Sequence, residues 1–216
     1  TAFGVKVGET SDDGEVSLEY TPCIGMCDQA PAAMINDVMV TSLTPQKARE
    51  IAAALKDGAT PGELISQRFK ELTPYERAHR MVENNVRHAG AVLLGKAPAD
   101  AGLDKALDLR PSQIIDEVEA SGLRGCGGAG FTTGRKWRMA AEAEAEHRVV
   151  ICNADEGEPG TFKDRVLLTE RPHLLIEGMT IAARAIGARE GILYLRGEYV
   201  YLRELLEEVL ADRRAR

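Results

Sequence analysis

From residue 112 to residue 214 amphipathic helical segments alternate with short apolar strands, and that order confines this part of the chain to an α/β sheet with helices on its faces. The pattern predicts helix over 112–120, a glycine loop over 125–130, helix over 134–145 and strand over 148–152. An acidic loop over 153–160, helix over 172–186, strand over 191–196 and helix over 200–214 complete it. Upstream, Glu15-Val16-Ser17-Leu18-Glu19-Tyr20 alternates as a strand does, and an apolar strand is expected over 32–40, which together read as the end of a small α/β unit. Three helix starts follow, at Thr44-Pro45, Thr60-Pro61-Gly62-Glu63 and Thr73-Pro74-Tyr75-Glu76. Each places a hydroxyl before a proline that is pre-set for the first helical position, and the last two add the reciprocal glutamate of a capping box. Residues 41–88 are therefore predicted to be mostly helical, and 88–109, rich in Ala, Gly and Lys without a period, to be a surface connector at a domain boundary.

At 216 residues and 44% hydrophobic, the chain is long enough for a real core. A net charge of -7 repels a phosphate backbone and argues against general nucleic-acid binding. No stretch approaches the roughly 18 apolar residues of a membrane span, and Thr1–Glu9 lacks the order of a secretory signal, so no membrane insertion and a cytoplasmic location are expected. Four cysteines, Cys23, Cys27, Cys126 and Cys152, are too few for a disulfide scaffold and read as ligands, reactive thiols or small core residues. Within this acidic chain, Arg124, Arg135, Lys136 and Arg138 form a basic window free of carboxylates that suits an anion.

Gly125-Cys126-Gly127-Gly128-Ala129-Gly130 fits a G-x-G-x-x-G pattern, whose glycines let backbone N–H groups approach a phosphate ahead of a helix N-terminus. The dinucleotide version needs a strand before the loop, and here a helix precedes it, so a glycine turn joining two helices fits equally well. The basic window shifts the balance toward anion binding. Asn153-Ala154-Asp155-Glu156-Gly157-Glu158-Pro159-Gly160 follows an apolar strand, at the end of a sheet where α/β folds bind ligands. Its carboxylates suit sugar hydroxyls, ring N–H groups and carboxamides, while a divalent cation or a solvated acidic turn answers to the same residues.

Read in order, Gly122-Leu123-Arg124-Gly125, Gly127 to Phe131, Thr133-Gly134, Lys136-Trp137 and Cys152 to Arg165 resemble the flavin-binding electron-input subunit of respiratory complex I and of soluble NAD-reducing hydrogenases. His173 to Met179 and Arg196 to Tyr199 extend the resemblance, which covers residues 112–203. Pro22-Cys23-Ile24-Gly25-Met26-Cys27-Asp28-Gln29-Ala30-Pro31 is similar to the second cysteine pair of the thioredoxin-like [2Fe-2S] domain that partners this subunit. Both pieces on one chain look most like the diaphorase subunit of a cytoplasmic NAD-reducing nickel-iron hydrogenase; complex I and formate dehydrogenase flavin subunits are the alternatives. The resemblance implies an α/β protein with part of a thioredoxin-like domain over 1–43, a helical connector over 44–110 and the N-terminal half of an FMN/NAD(H)-binding domain over 111–216. It also implies a fragment, a reading that the two short strands of the last region favour, since two strands alone do not make a stable sheet.

What the resemblance implies for single residues is specific. Gly125, Gly127, Gly128 and Ala129 let backbone approach FMN and the nucleotide, and Lys136 lies near both. Asn153, Asp155 and Glu156 hydrogen-bond the flavin; Phe131 stacks on NAD(H), and Glu158 orients the nicotinamide, so that Glu158 and Lys136 stand nearest the hydride transfer. Cys23 and Cys27 are two of four ligands of a [2Fe-2S] cluster, and the partners are NAD(H) and other iron-sulfur and hydrogenase or dehydrogenase subunits. Cys126 stands where the family usually has an arginine, which predicts weakened nucleotide binding and an acidified thiol, and Cys152 is expected to be a buried small residue. The four histidines lack ligand spacing, and Trp137 and Tyr199 read as packing residues. Two other readings remain open: a non-catalytic docking fragment and a metal-binding regulatory domain built on the acidic loop.

Overall fold

Helices begin where the threonine–proline pairs predict. In the computed structural model, which describes residues 3–96, 98–126 and 128–215 and only the backbone of 65–68, Thr44, Thr60 and Thr73 each accept the backbone N–H of the third residue on. Glu63 and Glu76 accept the N–H of Thr60 and Thr73 in return, at 2.7 Å and 3.0 Å. These caps open α1 (Pro45–Lys56), α2 (Pro61–Phe69) and α3 (Pro74–Met81), and each contributes about 1 kcal/mol to its helix.

The chain divides into two units. The first comprises Thr1–Arg87, Asp155–Thr169 and Arg196–Glu208. Its sheets are two antiparallel hairpins, β1 (Glu9–Thr10) with β2 (Ser17–Leu18) and β3 (Ala33–Ile35) with β4 (Val38–Val40). The strand expected over 32–40 is thus folded in two, because Asn36 takes a φ of 51° in an Asn-Asp turn, a conformation that asparagine tolerates. The strand expected over 15–20 shortens to two residues. Gln29 donates to the carbonyl of Glu83 at 2.6 Å and Thr41 to that of Met81 at 3.2 Å, which ties the residues flanking β3 and β4 to the end of α3. The buried residues of this unit include Met26, Met39, Val82, Leu168, Tyr199 and Leu202.

The second unit comprises His88–Ala154, Glu170–Leu195 and Val209–Arg216. It carries α4 (Ala101–Leu107), α5 (Pro111–Ala120), α6 (Thr133–Glu142), β5 (Val149–Ala154), α8 (Pro172–Ile186) and β6 (Glu190–Leu195). Two further helices, α7 (Lys163–Glu170) and α9 (Arg203–Ala215), contribute residues to both. β5 and β6 pair in parallel, from Val149 opposite Glu190 to Ala154 opposite Leu195. Ala106, Ile114, Ile115 and Ala185 form a core against which Leu109, Trp137, Ala141, Ile181 and Ile186 pack. At Gly134 a side chain would meet the backbone of Glu119 at 2.5 Å, so only glycine lets α6 lie this close to α5. α6 stops at Glu142, short of the expected 145, because Arg148 takes the carbonyls of Ala140, Ala141 and Ala143 at 2.7–3.2 Å. Among the described residues no helix is long and apolar enough to cross a membrane.

α4 lies where a structureless connector is expected. Its own N-cap residue, Asp100, makes no side-chain cap, and the helix is held by α8 instead. The buried carboxylate of Glu177 accepts the N–H groups of Gly102 and Leu103 at 2.8 Å and 2.9 Å. Two turns further along α8, Arg184 donates to the carbonyls of Ala106, Leu107 and Leu109 at 2.9–3.0 Å. An anion at the N-terminus and a cation at the C-terminus both match the helix dipole. Glu177→Ala is expected to lower unfolding stability by about 1–2 kcal/mol, since two partly buried N–H groups lose their acceptor, and Glu177→Gln by less. Urea unfolding followed by circular dichroism checks this; an alanine variant with the wild-type midpoint would show that the clamp contributes nothing.

Candidate functional site

In the first unit Cys23-Ile24-Gly25-Met26-Cys27 forms a turn whose apolar residues face inward while its sulfurs converge. Ile24 and Met26 are buried, Cys23 is half-buried and Cys27 exposed, and the two Sγ atoms stand 3.3 Å apart as free thiols. The backbone N–H of Gly25 donates to Cys23 Sγ at 3.4 Å, and that of Gly160, from the acidic loop, donates to Cys27 Sγ at 3.2 Å. The Gly25 N–H and then the Cys27 thiol hold the Cys23 thiol below the ordinary cysteine range. Gly25 has a φ of 75°, and a β-carbon there would stand 2.5 Å from Tyr199 Oη. Here both the conformation and the space require glycine.

Buried charge fixes the backbone of this turn. Arg165, fully shielded from solvent, donates to the carbonyl of Gly25 at 2.9 Å and with Nη2 to both carboxylate oxygens of Asp28 at 2.8 Å and 2.9 Å. Arg196 donates to the carbonyls of Glu156 and Cys23 and to both oxygens of Glu198, at 2.8 Å and 3.0 Å for the latter. The carboxylate of Glu156 is itself buried: it accepts the N–H groups of Asp164 and Arg165 at 2.7 Å and 3.1 Å, at the start of α7, and the Tyr199 hydroxyl at 3.1 Å. Burial and the neighbouring Glu156 push the Tyr199 hydroxyl well above the usual tyrosine range, so it stays a donor. Residues 23–28, 156–165 and 196–199 therefore share one polar network.

In the second unit the glycine loop closes on a short antiparallel stem. Gly125 N–H donates to the Phe131 carbonyl at 2.9 Å, Thr133 N–H to the Leu123 carbonyl at 2.8 Å, and Arg124 bridges Thr132. Gly128 and Gly130 have φ of 141° and 63° with open space where side chains would project, so backbone conformation and not crowding selects glycine there. α6 starts directly behind the loop, and its N-cap Thr132 makes no side-chain cap, which leaves N–H groups at that end for an external acceptor. Lys136 is exposed, and Phe131 presents a 47% exposed ring with the Arg135 guanidinium 5.9 Å from its centre. Cys126 is exposed, its thiol 3.6 Å from the Arg124 carbonyl, and Cys152 is half-buried where a buried residue is expected.

The expected site residues fall into two groups. Gly125, Gly128, Ala129, Phe131, Lys136 and Asn153 belong to the second unit; Cys23, Cys27, Asp155, Glu156 and Glu158 belong to the first; Gly127 lies outside the described residues. Asn153 is the penultimate residue of β5, and Asp155 and Glu158 are exposed in the loop that follows. The sequence gives no sign of the network roles of Arg165, Arg196 and Gly25, which meet one another's segments across 140 and 173 residues, at Arg165–Gly25 and Arg196–Cys23. Two converging thiols with N–H···S bonds fit half of the four-thiolate donor set of a [2Fe-2S] cluster. No group of three or more His, Cys, Asp or Glu gathers among the described residues, and the Glu156 carboxylate is committed to α7 and Tyr199, so the acidic loop is poorly suited to a divalent cation. A cavity of about 950 Å³ lined by Met39, Ile51, Leu64 and Leu72 among others includes none of the expected site residues.

Comparison with known proteins matches the chain in two stretches that do not follow the two units, since the second runs through both. Residues 118–216 match the family described as the Nuo51 FMN-binding domain, and residues 1–56 match the thioredoxin-like [2Fe-2S] ferredoxin family. The alpha subunit of NAD-reducing hydrogenase HoxS from Cupriavidus necator is 50% identical over 212 residues, 98% of this chain and 35% of that one. An NADH-quinone oxidoreductase subunit of Aquifex aeolicus is 54% identical over 110 residues, 49% of this chain and 26% of its own length. The crystal structure of an NAD+-reducing [NiFe]-hydrogenase in the H2-reduced state superposes with a TM-score of 0.81 at 40% identity, over 96% of this chain and 34% of that one. This chain thus spans about a third or less of the length of these relatives.

Two measurements probe the network. Gly25→Ala should destabilise by about 3 kcal/mol, from left-handed strain plus collision with Tyr199, whereas Gly130→Ala should cost about 1 kcal/mol from strain alone; equal costs would mean that Tyr199 does not press on the turn. Glu198, held below the usual carboxylate range by its hydrogen bonds from Arg196, stabilises the fold above its unfolded pKa of about 4.3 and loses that contribution as pH falls through the lower folded value. Glu198→Gln is expected to lower the urea midpoint at pH 7, with an offset that begins to shrink as pH falls below about 4.3 and vanishes below the folded value. An offset that stays constant from pH 7 to pH 3 would remove the ion pair from the account.

Proposed function

We propose that the chain, whose residues 118–216 match the Nuo51 FMN-binding domain family and residues 1–56 the thioredoxin-like [2Fe-2S] ferredoxin family, is part of a diaphorase subunit, an NAD(H):acceptor oxidoreductase. FMN, when bound, supplies the step between two-electron hydride chemistry and one-electron transfer to iron-sulfur centres. The chain's own residues bind and orient. Gly125, Gly128, Ala129 and the uncapped start of α6 offer backbone N–H groups to phosphate, and Lys136 adds charge. The exposed ring of Phe131 stacks on the nicotinamide nucleotide, and Glu158 takes its carboxamide as acceptor. Asn153 and Asp155 meet the flavin, while Glu156 contributes by holding α7 and the loop in place.

The observation that carries this reading is the shared network of the first unit. One guanidinium, that of Arg196, joins Cys23 in the ferredoxin-like part to Glu156 in the flavin-family part, and Gly160 of the acidic loop donates to Cys27 Sγ. A cysteine centre tied in this way to the loop behind β5 suits short-range electron transfer. The relative from Cupriavidus necator matches across both parts, whereas the NADH-quinone oxidoreductase relative from Aquifex aeolicus matches only half of the chain, which favours a hydrogenase-type assembly over a complex I type. Its partners are then NAD(H) and further iron-sulfur and hydrogenase subunits in the cytoplasm.

The test uses the full-length protein that contains this chain, reconstituted with FMN. Flavin absorbance should survive desalting and NADH should reduce ferricyanide; Phe131→Ala should raise KM for NADH by up to about tenfold, in keeping with one lost ring stack. Lys136→Ala should loosen FMN. Protein that retains no flavin and reduces no dye would instead be a docking piece, the reading that the lone cysteine pair would then support.

A further inference from the structure

Cys23 and Cys27 have a chemistry of their own that does not depend on a metal. Their sulfurs are 3.3 Å apart, close to the roughly 2.05 Å of a disulfide. The turn is pinned at three points: Arg196 on the Cys23 carbonyl, Arg165 on the Gly25 carbonyl and, just past Cys27, Arg165 on the Asp28 carboxylate. None of these contacts uses a sulfur, so the turn keeps its shape whether the thiols are free, bonded to each other or bound to a metal. Little conformational entropy remains to be lost on closure, because the ordering is already set by the fold. The two thiols also differ in access: Cys27 is exposed, and Cys23 is half-buried behind it.

We propose that Cys23 and Cys27 form a reversible dithiol–disulfide site that reacts with low-molecular-weight disulfides such as oxidised glutathione. The exposed Cys27 thiolate attacks one sulfur of the oxidant, and the other sulfur leaves as a thiolate with the electron pair of the broken bond. Cys23 then attacks Cys27 Sγ, breaking the mixed disulfide and releasing the second glutathione. The protein gives up two electrons, the oxidant gains two, and the two thiol protons pass to the released thiolates or to water. A closed pair has no thiolate to offer, so the same reaction withdraws both ligands from any metal centre and makes assembly at this turn dependent on the thiol poise. Cys126 and Cys152 belong to the other unit and serve as internal controls.

The experiment equilibrates the reduced chain in buffers of graded reduced-to-oxidised glutathione ratio, quenches with acid, alkylates with N-ethylmaleimide and reads intact mass and peptide maps. As the buffer becomes oxidising, alkylated cysteines should fall from four to two, with loss of two hydrogens and a peptide linked through Cys23 and Cys27. Cys23→Ser should stop at a glutathione adduct on Cys27, and Cys27→Ser should react more slowly at Cys23. Four alkylated cysteines at every ratio, or a wild-type chain that stops at the glutathione adduct, would overturn the proposal. Iron-sulfur reconstitution of the full-length protein, followed by visible absorbance, separates the two ideas. A cluster that forms although no disulfide does overturns this site alone; a disulfide that forms although no cluster does leaves this site standing and counts against the ligand role.

Discussion

The guanidinium of Arg165 is fully shielded from water, and its burial is tolerated only because Asp28 faces it with both carboxylate oxygens and Gly25 with a carbonyl. An uncompensated buried cation is among the most costly things that a fold can contain, and breaking such a pair typically costs about 3–5 kcal/mol. The condition spreads outward. Arg165 sits in the first turn of α7, whose N–H groups need Glu156, and Glu156 in turn needs a second buried donor, which Tyr199 provides. Tyr199 occupies the space that a side chain at residue 25 would take, so the position of Gly25 follows from the same set of contacts. The cysteine turn, the acidic loop and the segment around Arg196 thus stand or fall as one polar assembly.

Such an assembly confers position more than stability. Replacing buried ion pairs with apolar residues is often neutral or stabilising, so the arginines are poorly explained as stabilisers alone. They are better explained by what they leave free. Arg165 and Arg196 address backbone carbonyls and carboxylates and leave the sulfurs of Cys23 and Cys27 to backbone N–H donors and to each other, partners that suit thiolates in a metal centre or a reactive dithiol. A turn held through its main chain can change what its side chains bind without refolding.

The parts of the fold that were legible in the sequence are those whose determinants are local. Thr44, Thr60 and Thr73 carry their caps within three residues, and the helices over 111–120 and 172–186 and the two parallel strands fall within a residue or two of their expected places, except that β5 runs on to Ala154. The helices that were not expected, α4 and α7, take their N-terminal acceptors from elsewhere: Glu177 lies some 75 residues from Gly102, and Glu156 precedes Asp164 by eight. No local pattern announces such a cap. The same limit governs the site. The glycine loop and the cysteine pair show as motifs because their residues stand close together in sequence, whereas Arg165, Arg196 and Tyr199 matter through partners that the fold brings to them.

The two kinds of glycine in the chain make the distinction concrete. Gly25 and Gly134 are required because another part of the protein already fills the space beside them, so they report on the protein's own packing. Gly128 and Gly130 have the conformation of glycine with nothing beside them. A positive φ carries a cost for any other residue, and open space beside it does not repay that cost by packing. Such glycines stand in the open here, on a paired stem ahead of a helix whose first turn lacks a side-chain cap, the kind of geometry that leaves backbone N–H groups accessible to an anion. The acidic loop answers differently, since Glu156 is satisfied from within and only its exposed neighbours Asp155 and Glu158 look outward. Of the carboxylates that the sequence presents side by side, Glu156 therefore builds the loop, while Asp155 and Glu158 stay exposed.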